Sequence, residues 1–183
     1  MALTRLTIDG YGQIELNQVA FRRDGRIEAQ CKINSTITSS PGYVENGMLL
    51  AVDKANGTVG YPASNAGLIG LNYTTEHMYD ERDVFALKKF KLDAGTFFPR
   101  IGYLATGDRF TTNCIAYDTT AYATEAALKT ALAGAATTAV YGQPCANGAI
   151  QIVASKPTGA VVLQVVKATT MPDGQYAVKF VVL

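Results

Sequence analysis

The chain has 183 residues, 48% of them hydrophobic and 17% charged, at a mean hydropathy of +0.09. That is enough apolar matter to bury a sizeable core without a metal or disulfide staple. Sixteen Lys and Arg against fifteen Asp and Glu leave a formal charge of +1, a balance that argues against a polyanion such as nucleic acid as the main partner. A composition short of charge, with ten Tyr and no Trp, suits a subunit of an assembly, because contact surfaces shed charge, and equally suits a well-packed β-protein. Cys31, Cys114 and Cys145 are scattered, with no Cys-x-x-Cys. They read as reduced, packed thiols of a protein made in the cytoplasm, and no metal or cofactor set is expected from them. The first ten residues lack the apolar core of a signal peptide and no run approaches a membrane span, so no membrane association is expected.

In chain order, Asn17–Ile33 alternates strictly after an Asp24-Gly25 turn, with Ile27, Ala29, Cys31 and Ile33 on one face. A three-residue loop, Arg23-Asp24-Gly25, pairs Phe21 with Ile27 and Val19 with Ala29, which predicts a β-hairpin with Arg22, Arg23 and Arg26 at its tip. Those arginines read as a solvated turn; as a contact they would suit an acidic patch or a phosphate. With Phe21, they are the candidate partner-binding residues. Asn34–Gly42 is a polar linker, so residues 1–40 are expected to form a projecting hairpin arm with its linker, and residues 41–183 a β-rich core domain. Asn56-Gly57 between Gly47–Asp53 and Thr58–Tyr61 is a strong hairpin signal. Tyr61–Gly67 reads as a loop and Leu68–Tyr73 as a short strand.

Glu76–Asp83 holds the single histidine, His77, with Glu76, Asp80, Glu81 and Asp83. One imidazole without nearby cysteine does not make a zinc or iron site, and the spacing does not match an EF-hand loop, so the stretch reads as a solvated acidic loop; a metal-dependent enzyme would have to be built here. Phe85–Leu92, Thr96–Leu104 and Arg109–Tyr117 read as strands, with Pro99 marking an edge or bulge. Thr106–Arg109 is a turn without the frame of a phosphate loop.

The one secure helix lies near 124–134: Thr124 caps it, Glu125 stands four residues before Lys129, Leu128, Ala131, Leu132 and Ala135 share a stripe, and Gly134 stops it. Ala135–Gly148 reads as a loop. Gly148–Ser155, Ala160–Lys167 and Gln175–Leu183 then read as a C-terminal β-meander. A Pro172-Asp173-Gly174 loop with Gly174 left-handed places Thr170 opposite Tyr176, Ala168 opposite Val178 and Val166 opposite Phe180 on one face. It places Leu163 opposite Leu183 and Val165 opposite Val181 on the other. Both faces are then apolar, which predicts burial on both sides, within the fold or against another subunit. The expected class is mainly β, a barrel or sandwich of hairpins and a C-terminal meander with one short helix. No nucleophile elbow or paired base is found, so an enzyme is not expected.

Gly47–Asp53, Asn56–Val59, Phe98–Leu104 and Gly107–Asn113, with the closing Asp173–Leu183, resemble small virion structural proteins of tailed bacteriophages, in particular capsid decoration or cement proteins. The resemblance implies a β-rich protein of the virion, made in the host cytoplasm. It would bind the outside of an assembled shell, contact the major capsid protein and copies of itself as a homo-oligomer, and stabilise the shell by bridging capsomers. A glycan- or cell-surface-binding β-module of a phage fibre or tail is the alternative, and would show rows of exposed aromatic side chains.

Overall fold

The computed structural model describes residues 3–35, 37, 41–75, 90–95 and 98–183. In chain order its strands are β1 (Leu3–Arg5), β2 (Ile14–Gln18), β3 (Ile27–Glu28), β4 (Lys32–Ile33), β5 (Tyr43–Val44) and β6 (Leu49–Asp53). They continue with β7 (Thr58–Gly60), β8 (Ile69–Asn72), β9 (Leu92–Asp93), β10 (Ile101–Gly102) and β11 (Arg109–Thr112). The last five are β12 (Ile115–Asp118), β13 (Tyr141–Pro144), β14 (Ile150–Val153), β15 (Leu163–Thr170) and β16 (Tyr176–Val182). Among the described residues two helices accompany them, a single turn α1 (Phe21–Asp24) and α2 (Glu125–Ala133). The protein is thus mainly β, as expected; among the described residues one helix exceeds a turn and the sheets do not close into a barrel.

The larger sheet has eight strands in the order β1-β12-β14-β13-β15-β16-β11-β2; a second has six, β3-β10-β8-β6-β7-β4; β5 and β9 pair separately. Asn113 and Cys114 alone join β11 to β12, although these strands lie near opposite ends of the eight-stranded sheet. The sheet must therefore curl so that its two ends approach each other. Residues 6–13, between β1 and β2, follow the same junction: Leu6 N–H donates to Ile115 O at 2.9 Å and Gln13 N–H to Asn113 Oδ1 at 2.7 Å.

Two cores follow from alternation in the six-stranded sheet. Leu49, Ile69 and Leu71 face a cluster with Phe110, Ile152, Leu163, Val165, Val178 and Phe180 of the larger sheet and Leu128 and Leu132 of α2. Leu50, Val52, Val59 and Ile101 face a second cluster with Cys31, Ile33, Ile37, Val44, Met48 and Leu92. The six-stranded sheet is therefore apolar on both sides, each side covered by the chain itself.

Local turn chemistry behaves as expected. β6 and β7 form the hairpin around Asn56-Gly57, with Asp53 opposite Thr58 and Gly57 at φ 63°. Thr124 caps α2, its hydroxyl accepting from Ala127 N–H at 3.2 Å, and Lys129 pairs with Glu125 at 2.7 Å. At the β15–β16 turn Gly174 is left-handed at φ 88°, with Thr170 opposite Tyr176 and Ala168 opposite Val178.

Longer-range pairings correct several expectations. The hairpin over Asn17–Ile33 does not form: β2 pairs with β11 in the larger sheet, whereas β3 pairs with β10 in the smaller, and Phe21 is fully buried instead of standing on an arm. The segment after it does not act as a free linker, since Ile33 and Ile37 sit in the second core. Arg109–Tyr117 is two strands, not one. The C-terminal meander is reduced to the β15–β16 hairpin, because β13, formed within the expected loop Ala135–Gly148, lies between β14 and β15. A bulge between Val165 and Lys167 shifts the register beyond it, so that Val165 faces Phe180, Gln164 faces Val181 and Leu163 faces Val182. The extra residue brings Leu163 and Val165 onto the same face as Ala168, Val178, Phe180 and Val182, towards the first core. The opposite face is left with Gln164, Lys167, Lys179 and Val181, and no apolar row there requires a second subunit.

Candidate functional site

The site is assembled from β2, α1 and the β8–β10 pair. After β2, Ala20 N–H donates to Asp108 Oδ1 at 2.9 Å, which turns the chain into α1. Gly25, left-handed at φ 68°, ends that turn, and Arg26 N–H returns to Phe21 O at 3.0 Å. Phe21 anchors the turn in the core, its ring 4.9 Å from that of Tyr73. A Cβ on Gly102 would lie 2.5 Å from the Phe21 ring, so glycine is what lets β10 approach it.

The four sequence-derived candidates, Phe21, Arg22, Arg23 and Arg26, part company here. Phe21 is core. Arg26 donates to Tyr103 O at 2.8 Å and lies 3.5 Å from Asp24 and 3.9 Å from Asp108, so it ties α1 to the segment after β10. Arg23, with a side chain 83% exposed, pairs with Asp24 at 3.1 Å. Arg23 also borders a cavity of about 270 Å³ with Asp108, whereas Arg22 borders one of about 400 Å³, shared with Ile14 and Leu16 of β2, Asn46, Tyr73, Thr74, Thr75 and Arg100.

Sheet pairing brings Arg100 and Tyr73 to Arg22. Because β10 pairs with β3 on one side and β8 on the other, the residues before β10 and after β8 lie beside α1. Tyr73 N–H donates to Arg100 O at 2.9 Å, Arg100 N–H to Thr74 Oγ1 at 2.9 Å, and Asn46 Nδ2 to Thr74 O at 2.8 Å. Burial pushes the Tyr73 phenol up, while the positive charges of Arg100 and Arg22 oppose that shift. Sequence reasoning missed Arg100, Tyr73 and Asn46, and no spacing signal could have found them, since each arrives through the pairing of distant strands.

A second polar cluster is interior. Arg5 Nη2 meets Glu45 Oε2 at 2.7 Å and Cys114 Sγ at 3.4 Å, and Gly12 N–H donates to Glu45 Oε1 at 3.1 Å. This knot fastens β1 and residues 6–13 to the chain around Glu45. Burial pushes the Cys114 thiol up to about 12, only partly opposed by Arg5, and that of Cys145 up to about 11. Neither is a thiolate near neutral pH, so neither is a ready nucleophile. The acidic stretch Glu76–Asp83, with His77, lies outside the described residues, and no metal-binding group of His, Cys, Asp or Glu is found among the described ones. No helix among the described residues is long and apolar enough to cross a membrane.

The outer side of β2 has no paired strand among the described residues, and at five residues it is longer than the other edge strands, β1 with three and β3 and β4 with two each. The Arg22–Arg100 cavity opens beside it. Comparison with protein-family models, curated proteins and solved structures finds no match to this chain.

Proposed function

We propose that the protein is a structural subunit that docks on a larger protein assembly through the open edge of β2. The specific role we infer is that of a capsid decoration or cement protein: carried in the virion, made in the host cytoplasm, touching the major capsid protein and copies of itself. The observation that carries the reading is the outer edge of β2, which pairs with no strand among the described residues. It is long enough to accept a strand from another chain, and backbone hydrogen bonds made there supply affinity without a deep pocket. The resemblance to decoration proteins supplies the identity of the partner.

The mechanism is mass action. A protein that binds the assembled shell and not its dissociated subunits stabilises the shell by RT ln(1 + [L]/Kd) per site, and copies repeated over a lattice multiply that gain. The glycan-binding alternative has less support. Of the nine described tyrosines none is exposed, and among the described phenylalanines only Phe98 is, at 49%, so no row of aromatic platforms is available there.

Co-sedimentation with purified empty shells tests the proposal. Saturable pelleting of the protein, with a rise in the melting temperature of the shells, is expected. Protein that stays in the supernatant at every shell concentration would refute it.

A further inference from the structure

We propose that the cavity between β2 and β10 is a binding site for a small oxyanion, a carboxylate or phosphate group held by Arg22 and Arg100. The first reason is charge. None of the eight described lining residues is acidic, and two carry guanidinium groups. Of the six described arginines, Arg5, Arg23 and Arg26 have carboxylate partners within ion-pair distance, whereas Arg22, Arg100 and Arg109 have none among the described residues. Two of those three line one cavity. Two guanidinium forks on one cavity, with no carboxylate partner among the described residues, offer what carboxylate and phosphate oxygens satisfy with parallel hydrogen bonds.

The second reason is an unspent donor. The Tyr73 hydroxyl is buried and has no hydrogen-bond partner among the described residues, although buried polar atoms are nearly always satisfied. Tyr73 lines the cavity beside both arginines, so a bound oxygen acceptor would supply what this hydroxyl lacks.

The third reason is that the walls are held in place before any ligand arrives. Thr74 accepts from Arg100 N–H through its hydroxyl and from Asn46 Nδ2 through its carbonyl, and its hydroxyl donates to Asn72 Oδ1 at 2.7 Å. Asn72 in turn donates through Nδ2 to Glu45 O at 2.8 Å. A frame of this kind lowers the ordering cost of binding. The volume of about 400 Å³ suits a small molecule or the end of an acidic side chain.

The test is isothermal titration of the full chain with inorganic phosphate and, separately, succinate, with the contact surface mapped by amide chemical shifts. Saturable one-to-one binding of either anion is expected, with shifts at Asn46, Tyr73, Thr74 and Arg100; the tighter anion identifies the group the cavity prefers. Arg22→Ala and Arg100→Ala should each weaken binding about tenfold. Arg109→Ala, which removes an arginine away from the cavity, should leave it unchanged. Tyr73→Phe should weaken binding while the far-ultraviolet spectrum stays that of the parent. Absence of saturable binding by both anions, shifts confined to another surface, or equal weakening by Arg109→Ala would overturn the proposal. No shell is needed, so the outcome is separate from that of the docking experiment.

Discussion

Arg5 and Glu45 carry opposite charges at 2.7 Å, with the Glu45 side chain only 3% exposed. Removing one partner of such a buried pair leaves the other charge desolvated and unmatched, a loss of about 3–5 kcal/mol. Arg5→Met should therefore lower stability in urea denaturation by about 3 kcal/mol. Adding Glu45→Gln, which removes the stranded charge but keeps an oxygen for Gly12 N–H, should restore part of it; a double variant less stable than Arg5→Met would contradict this account. The thiols give a second prediction at this scale. Cys31, Cys114 and Cys145 are all buried, and burial raises all three thiols. A thiol reagent at neutral pH should label the native protein slowly at every cysteine, and all three rapidly in denaturant.

Among the elements, the β15–β16 hairpin turns on one residue. Val166 is the extra residue at the bulge and is 38% exposed, while Leu163 and Val165 are buried. Deleting Val166 would remove the extra residue and leave Val165 opposite Phe180 and Lys167 opposite Lys179 in uninterrupted register, so Leu163 and Val165 should keep their place in the core. Equilibrium denaturation of the deletion variant checks this: stability within about 1 kcal/mol of the parent is expected, and a loss of about 3 kcal/mol or more, the value of turning both side chains out of the core, would contradict the bulge as described. The Thr124 cap makes a smaller prediction: Thr124→Ala should lower stability by about 1 kcal/mol.

These two elements also show what the residues alone disclose. Thr124, Glu125, Lys129 and Gly134 act on neighbours within a turn or two, as do Asn56-Gly57 and Pro172–Gly174, so the helix and both turns could be read directly. A bulge leaves no mark on alternation, and Leu163 and Val165 were therefore placed on the wrong face. The pairing of Ile27–Glu28 with Ile101–Gly102 depends on strands far apart in the chain, which made Asp24-Gly25 look like a hairpin tip. The same pairing builds the candidate cavity. Arg22 was visible as a charge in a turn; its meeting with Arg100 was not.

For the molecule as a whole, residues 6–13 behave as a strap joining β1 to β2 across the curled sheet. Two carboxylates outside the knot hold it: Thr7 N–H donates to Glu125 Oε2 at 3.0 Å, and Gln13 Nε2 to Asp173 Oδ2 at 2.6 Å. Partial burial would raise both carboxyls, but hydrogen bonds from Lys129 and Thr7 for Glu125, and from Gln175 and Gln13 for Asp173, hold them below their ordinary values of 4.5 and 3.8. A depressed folded-state pKa contributes stability that is present above the unfolded value and lost as pH falls through the folded one. Asp173 is exposed and Glu125 only partly buried, so the effect on global stability is small. The strap should therefore loosen below about pH 4, seen as reduced hydrogen-exchange protection of Thr7 and Gln13 relative to β15 and β16. Unchanged relative protection at that pH would contradict the role given to the two carboxylates.

Packing at this scale also alters the basis for expecting partners. The apolar side chains that argued for a neighbouring subunit are taken up by two internal cores, and the exposed large apolar residues among those described are Ile27, Leu68, Phe98, Val166 and Leu183. The proposed docking then rests on backbone groups along the outer edge of β2, which is unpaired among the described residues, not on a surplus of apolar surface. The most direct test is amide hydrogen exchange of residues 14–18, measured for the free protein and for protein bound to empty shells. The account predicts exchange along β2 in the free protein and marked protection on the shell; equal exchange in the two states, with the protein demonstrably bound, would contradict it.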